Sequence, residues 1–113
     1  MFKDAPSIFF IGVARNCATF LPGALANLDH LAKLSHRHAG LIVENDSTDD
    51  TKAILTQWVV ERESFEMVSL DGVGAIAVRG LRLEMIRNYC ISAARQQGAQ
   101  DYDLLVIMDL DDA

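Results

Sequence analysis

The sequence predicts an α/β fold, a mostly parallel sheet with helices on both faces. Three observations predict it. Short, almost wholly apolar runs alternate with amphipathic stretches along the chain. The apolar runs have the length and composition of buried strands, and the stretches between them carry apolar residues at helical spacing. Polar or glycine-containing breaks separate the two kinds of segment. The resulting order, β-α-β-α-β-α-β, is the signature of strands joined by right-handed helical crossovers.

Ser7 to Val13 reads as the first buried strand, followed by a polar and small-residue break at Asn16-Cys17-Ala18-Thr19. Pro22 suits the first turn of a helix, where a missing N–H costs nothing. Leu21, Leu25, Leu28 and Ala32 then form one helical stripe. Gly40 to Val43 reads as the second strand, running into the polar loop Glu44 to Thr48. Ser47 and Asp50 have the spacing of a capping box, which predicts a helix start there and a loss of about 1 kcal/mol on Ser47→Ala. Ile54, Leu55, Trp58 and Val59 form the apolar face of that helix. Phe65 to Leu70 alternates with period two, a third strand, and Asp71-Gly72-Val73-Gly74 breaks it. A third helix places Leu83, Ile86, Cys90 and Ala93 on one face, with Gly98 past its end. Leu104 to Met108 reads as a last buried strand, with Asp109 at its exit.

The chain has 113 residues, half of them hydrophobic and 23% charged, which suits one compact unit. A net charge of -6 points away from nucleic acid, whose phosphates need a basic face. Local arginines or a divalent metal still let an acidic protein hold a phosphorylated ligand. Cys17 and Cys90 form no C-x-x-C pair and read as reduced, partly buried thiols. The early apolar run Ile8 to Ala14 is too short to span a bilayer and has no charged leader before it. The expectation is a cytoplasmic protein without a transmembrane segment.

In open parallel sheets, ligands bind beyond the carboxyl ends of the strands, where the strand order reverses. A 3-2-1-4 order would put that point between the first and last strands, with Arg15 and Asp109 facing one crevice. The strand-exit segments are Ala14-Arg15-Asn16, Glu44-Asn45-Asp46-Ser47-Thr48, Asp71-Gly72 and Asp109-Leu110-Asp111-Asp112. Alternate carboxylates such as Asp109 and Asp111 can hold a hard cation through oxygen ligands. Manganese or magnesium so held can bridge phosphate oxygens and neutralise a leaving diphosphate. Read structurally, the same residues are a solvated acidic turn. Capping leaves Glu44 and Asn45 unexplained, and a carboxylate or amide there could bond a nucleobase. Arg79, Arg82, Arg87 and Asn88 lie on the third helix. Arginine meets phosphate through a planar two-pronged contact, although solvent-facing arginines on an amphipathic helix give the same pattern. His30, His36 and His38 read as surface residues, the last two in a loop before the second strand.

Taken together, GVARNCATFLP, IVENDSTDDT, RGLRLEMIRN and VIMDLDDA resemble, in this order, the nucleotide-binding half of GT-A glycosyltransferases. The segments are similar to those of family 2 enzymes and of a branch like the capsule-associated mannosyltransferases. The resemblance implies a Rossmann-like GT-A nucleotide-diphospho-sugar transferase fold. It implies transfer of a sugar from a nucleotide-diphosphate donor to a glycan, protein or lipid acceptor, assisted by Mn2+ or Mg2+ at D-x-D. By it, Ala14, Arg15, Asn16, Glu44, Asn45, Asp46, Arg79, Arg87, Asn88 and Asp109 line the nucleotide site, and Asp109 and Asp111 hold the metal. Residues 1–113 would be the N-terminal donor-binding part of the domain. The acceptor wall and the catalytic base are then expected beyond Ala113, and the chain alone is expected to be inactive, marginally stable and prone to self-association. Family 2 proteins often have Asp-Asp-Gly where this chain has Glu44-Asn45-Asp46, a departure at the nucleobase contact. Two rival readings are a haloacid dehalogenase-like phosphatase with Asp109 as nucleophile, and a nucleotide-sugar-binding module without catalysis. The absence of G-x-G-x-x-G after the first strand argues against a dinucleotide oxidoreductase.

Overall fold

The computed structural model describes residues 5–70, 72 and 79–110, and of residues 79–82 the backbone only. Its elements run β1 (Ser7–Ala14), α1 (Leu21–Lys33), β2 (Arg37–Asn45), α2 (Thr51–Val60), β3 (Phe65–Leu70), α3 (Arg79–Gln96) and β4 (Leu104–Asp109), with a 3-10 turn at Ala99–Asp101 before β4. The four strands form one sheet in the order β3-β2-β1-β4, and every pairing is parallel. The architecture is α/β and Rossmann-like.

Alternation along the two inner strands divides the core. Phe10, Ala14 and Ile42 face α1 and α2 and pack with Leu21, Leu25, Leu28, Leu55 and Trp58. Phe9, Ile11, Leu41 and Val43 face the other way and pack with Ile86, Cys90 and Ala94 of α3. Helices therefore cover both faces, and Ile8–Ala14 of β1 and Ala39–Val43 of β2 are apolar because neither face meets water there. Each fully buried Leu, Ile or Phe contributes roughly 1.5–3 kcal/mol. Gly40 leaves room for the Phe65 ring, which meets Trp58 edge-on at a centroid distance of 4.8 Å. A paired contact from Arg62 to Asp29, at 2.9 and 2.6 Å, ties the end of α2 to α1. The Arg62 guanidinium hydrogen bond holds the Asp29 carboxyl below its usual range.

Several expectations need correction. β2 spans Arg37–Asn45, so Arg37 and His38 are strand residues, and Glu44 and Asn45 belong to the strand end rather than to a loop. Arg37 stacks over Tyr102 at 4.1 Å, which explains why a charged residue begins this strand. Helix α2 starts at Thr51, and Ser47 makes no cap; Asp49 instead accepts the Thr51 N–H at 2.9 Å. The reciprocal Ser47–Asp50 capping box does not form, and the expected cap loss on Ser47→Ala has no basis. Leu83 of α3 is 45% exposed and does not join Ile86 and Cys90 in the core.

The last strand is apolar but not buried. β4 is an edge strand, with Leu104, Leu105 and Ile107 between 45% and 48% exposed. α3 packs over β1 and β2, leaving β4 largely bare on that face. An apolar edge without a charged residue, proline or bulge between Leu104 and Met108 is a template for strand pairing. The protein is predicted to self-associate at micromolar concentration. Leu105→Lys should move sedimentation velocity profiles toward the monomer; unchanged profiles would mean that another surface drives association.

Candidate functional site

The strand order reverses at β1. Strands β2 and β3 lie on one side of it and β4 on the other, so the exits of β1 and β4 are adjacent without a crossover above them. Asp109 stands opposite Val13 in the register. A cleft of about 390 Å³ opens there, lined by Val13, Leu83, Ile86, Arg87, Cys90, Ile107, Met108 and Asp109. Its floor is apolar, and Arg87 and Asp109 supply its charge. Burial pushes the Cys90 thiol up to about 11, which favours the neutral form of this residue in the cleft floor.

Leu110 explains how Asp109 is held. Between two acidic neighbours it is fully buried, on the α1 and α2 side of the sheet. Its N–H donates to the Val13 carbonyl at 2.9 Å, continuing the sheet by one bond. Its side chain fills the space that Gly12 leaves: a Cβ at Gly12 would sit 2.8 Å from Leu110 Cδ1 and 2.9 Å from Ile42 Cδ1. Leu110 thus bolts the end of β4, and with it Asp109, to the core. Sequence reasoning missed it, although a glycine inside an apolar strand is a signal of close approach.

The exit of β2 is built differently. Glu44 is 1% exposed, and both carboxylate oxygens are engaged: the Ser47 N–H donates at 2.7 Å and the Ser69 hydroxyl at 2.8 Å. It alternates with Val43 of the α3-side core, so its side chain lies on the α1 and α2 side, away from the cleft. This gives Glu44 a structural task that its sequence position did not reveal. Asn45 points to the α3 side by the same alternation and is buried, its amide donating to Asp46 at 3.2 Å. Asp46 takes a left-handed backbone, φ 52°, and accepts the Gly72 N–H at 2.6 Å.

The remaining expected residues divide. Ala14 is buried at the end of β1, beside Glu44 in the register. Arg15 follows it, half-buried, and does not line the cleft; its Nε is buried and has no hydrogen-bond partner among the described residues. Asn16 is exposed, with φ 48°. Arg87 lines the cleft, whereas Asn88 is exposed on α3 and does not. Arg79 begins α3, and its side chain, like that of Arg82, lies outside the described residues. Asp111 and Asp112 also lie outside them. His36, Arg37 and His38 stand at the opposite end of the sheet, where Arg37 pairs with Ser7. Among the described residues, no group of three or more His, Cys, Asp or Glu is placed to hold a metal by itself. None of the helices among them is long and apolar enough to cross a membrane.

No protein-family model matches this chain.

Gly12→Ala should push Leu110 out of its seat. The expected cost is about 1–3 kcal/mol, the usual range for overpacking, read from denaturant unfolding. A cost below about 0.5 kcal/mol, the level of ordinary surface substitutions, would show that Leu110 does not depend on the space at Gly12.

Proposed function

We propose that this protein binds a nucleotide-diphosphate sugar across the exits of β1 and β4 and serves transfer of the sugar to an acceptor. The observation that carries the reading is the β3-β2-β1-β4 order, which makes the Val13–Asp109 junction the switch point of the sheet. Ligands of open parallel sheets collect at such points. Three further features support it. Among the described residues the cleft there combines an apolar floor with the cation Arg87 and the carboxylate Asp109. Arg15, two residues past Val13, has a buried N–H without a partner among the described residues, as Trp58 does in the core, and such a group calls for a partner such as a ligand oxygen or water. The four segments that resemble GT-A glycosyltransferases include the exits of β1, β2 and β4 and the α3 helix.

In this reading Arg15 and Arg87 meet the diphosphate, and Asn45, on the α3 side of the sheet, faces the nucleobase. Glu44 supports the loop from beneath. Asp109 fits a hard divalent cation as one oxygen ligand, and Asp111 is the second ligand by sequence. Magnesium-type ions are commonly held by one or two carboxylates together with the phosphates of the ligand, so a site with few protein ligands suits them. When bound, such an ion neutralises the charge that grows on a departing diphosphate. The protein's own residues orient the donor; transfer needs in addition a wall that holds the acceptor hydroxyl. The reading assigns no catalytic base to the described residues.

Calorimetry with UDP, GDP and CDP, in manganese and in a chelator, tests this. At least one diphosphate should bind about tenfold or more tightly with manganese, or ~1.4 kcal/mol, and Asp111→Ala should abolish the difference. Equal affinity in both conditions, or an unaltered metal effect in the variant, would contradict the proposal.

A further inference from the structure

The loops leaving β1 and β2 are stitched together by side chains, and Asn16 is at the centre. Its N–H donates to Ser47 Oγ at 3.1 Å. Its side-chain oxygen accepts twice from Thr48, from the N–H at 2.7 Å and from the hydroxyl at 3.3 Å. Alongside, the Cys17 N–H donates to Thr51 Oγ1 at 2.8 Å and the Ala18 N–H to Asp49 Oδ2 at 3.2 Å. The backbone at Asn16 is left-handed, φ 48°, which asparagine tolerates better than most residues. From below, Glu44 holds Ser47 and Ser69. The five bonds made by Asn16, Cys17 and Ala18 each join residues 31 to 34 apart in sequence, and so tie the β1 exit to the β2 exit.

Arg15 sits between the end of β1 and this knot. Ala14 is fixed by the sheet and Asn16 by the opposite loop, so the Arg15 backbone between them is held on both sides and sets where its side chain starts. The Arg15 Nε is one of two buried side-chain donors that lack a hydrogen-bond partner among the described residues, the other being Trp58 Nε1 on the α1 and α2 side. We infer that Asn16 is a positioning residue: by clamping the β2 exit onto the β1 exit, it presets Arg15 to meet a phosphate of the ligand. This rests on the nucleotide reading above and changes one part of it. Asn16, expected from sequence to touch the nucleotide, has its carbonyl oxygen committed to Thr48 and acts through Arg15.

Nucleoside diphosphate affinity and amide hydrogen exchange at Thr48, measured on the same variants, test the inference. Asn16→Ala should weaken binding about tenfold, the lower end for loss of a supporting group, and should speed exchange at Thr48. Asn16→Asp keeps an acceptor in the same place and tolerates the left-handed backbone. It should restore Thr48 protection and most of the affinity. Ser47→Ala removes the other half of the clamp, and its effect should be less than additive with that of Asn16→Ala. Weakened binding with Thr48 protection unchanged would mean that Asn16 touches the ligand, and would overturn the inference. Faster exchange with unchanged affinity would overturn it as well, because the clamp would then not set binding. Failure of the unaltered protein to bind any nucleoside diphosphate would instead remove the nucleotide reading, and the inference with it.

Discussion

Everything in this structure depends on β1 having a strand on each side. Its backbone groups are deep in the protein, where an unpaired N–H or C=O is costly, so both of its edges must be matched. β2 satisfies one edge from Ser7 to Ala14, and β4 satisfies the other from Ile8 to Val13. Because the two neighbours arrive by crossovers in opposite directions, α1 and α2 cover one face and α3 the other. The same reversal leaves a gap in the helical cover above the exits of β1 and β4. The cleft is thus a consequence of satisfying the central strand.

The polar residues around the sheet divide into those that tie the strand-exit loops together and those that line the cleft. Asn16, Ser47 and Asp49 join the β1 and β2 exits, while Glu44 holds Ser47 of its own loop and Ser69 of β3. Asp49 is held below its usual range by hydrogen bonds from the Thr51 hydroxyl and amide. Its contribution is present above the unfolded value of about 3.9 and fades as the pH falls through the folded one. Arg87 and Asp109 face the cleft, and Leu110 anchors the second of them. Rigid support under a few outward polar groups is what a binding site requires, because a loosely held group loses much of its worth.

Much of the fold was legible in the sequence, for a physical reason. Inner strands of a parallel sheet are apolar on both faces, so β1 and the heart of β2 read as unbroken apolar runs. β3 was placed from Phe65 to Leu70 by its alternation, and α1 by its Leu21-Leu25-Leu28-Ala32 stripe. Composition could not say which strand lies at the edge, and β4, as apolar as β1, was read as buried. The start of α2 was misread because Ser47 and Asp50 have capping-box spacing. The partners that take Ser47 and Thr48 instead, Glu44 and Asn16, are chosen by tertiary contact. At the site, Asp109 was legible from its place after an apolar strand. Leu110 was not, because a leucine between two aspartates gives no sign of turning inward.

The central claim is that ligand meets the protein at the β1–β4 switch point. Its most direct test is an amide NMR titration with a nucleoside diphosphate and magnesium, a diamagnetic ion. The account predicts shifts concentrated at Val13, Arg15, Asn45, Arg87 and Asp109, with Ser7, Arg37 and Asp103 at the opposite end of the sheet unmoved. Shifts clustered between α1 and α2, or at that opposite end, would contradict it.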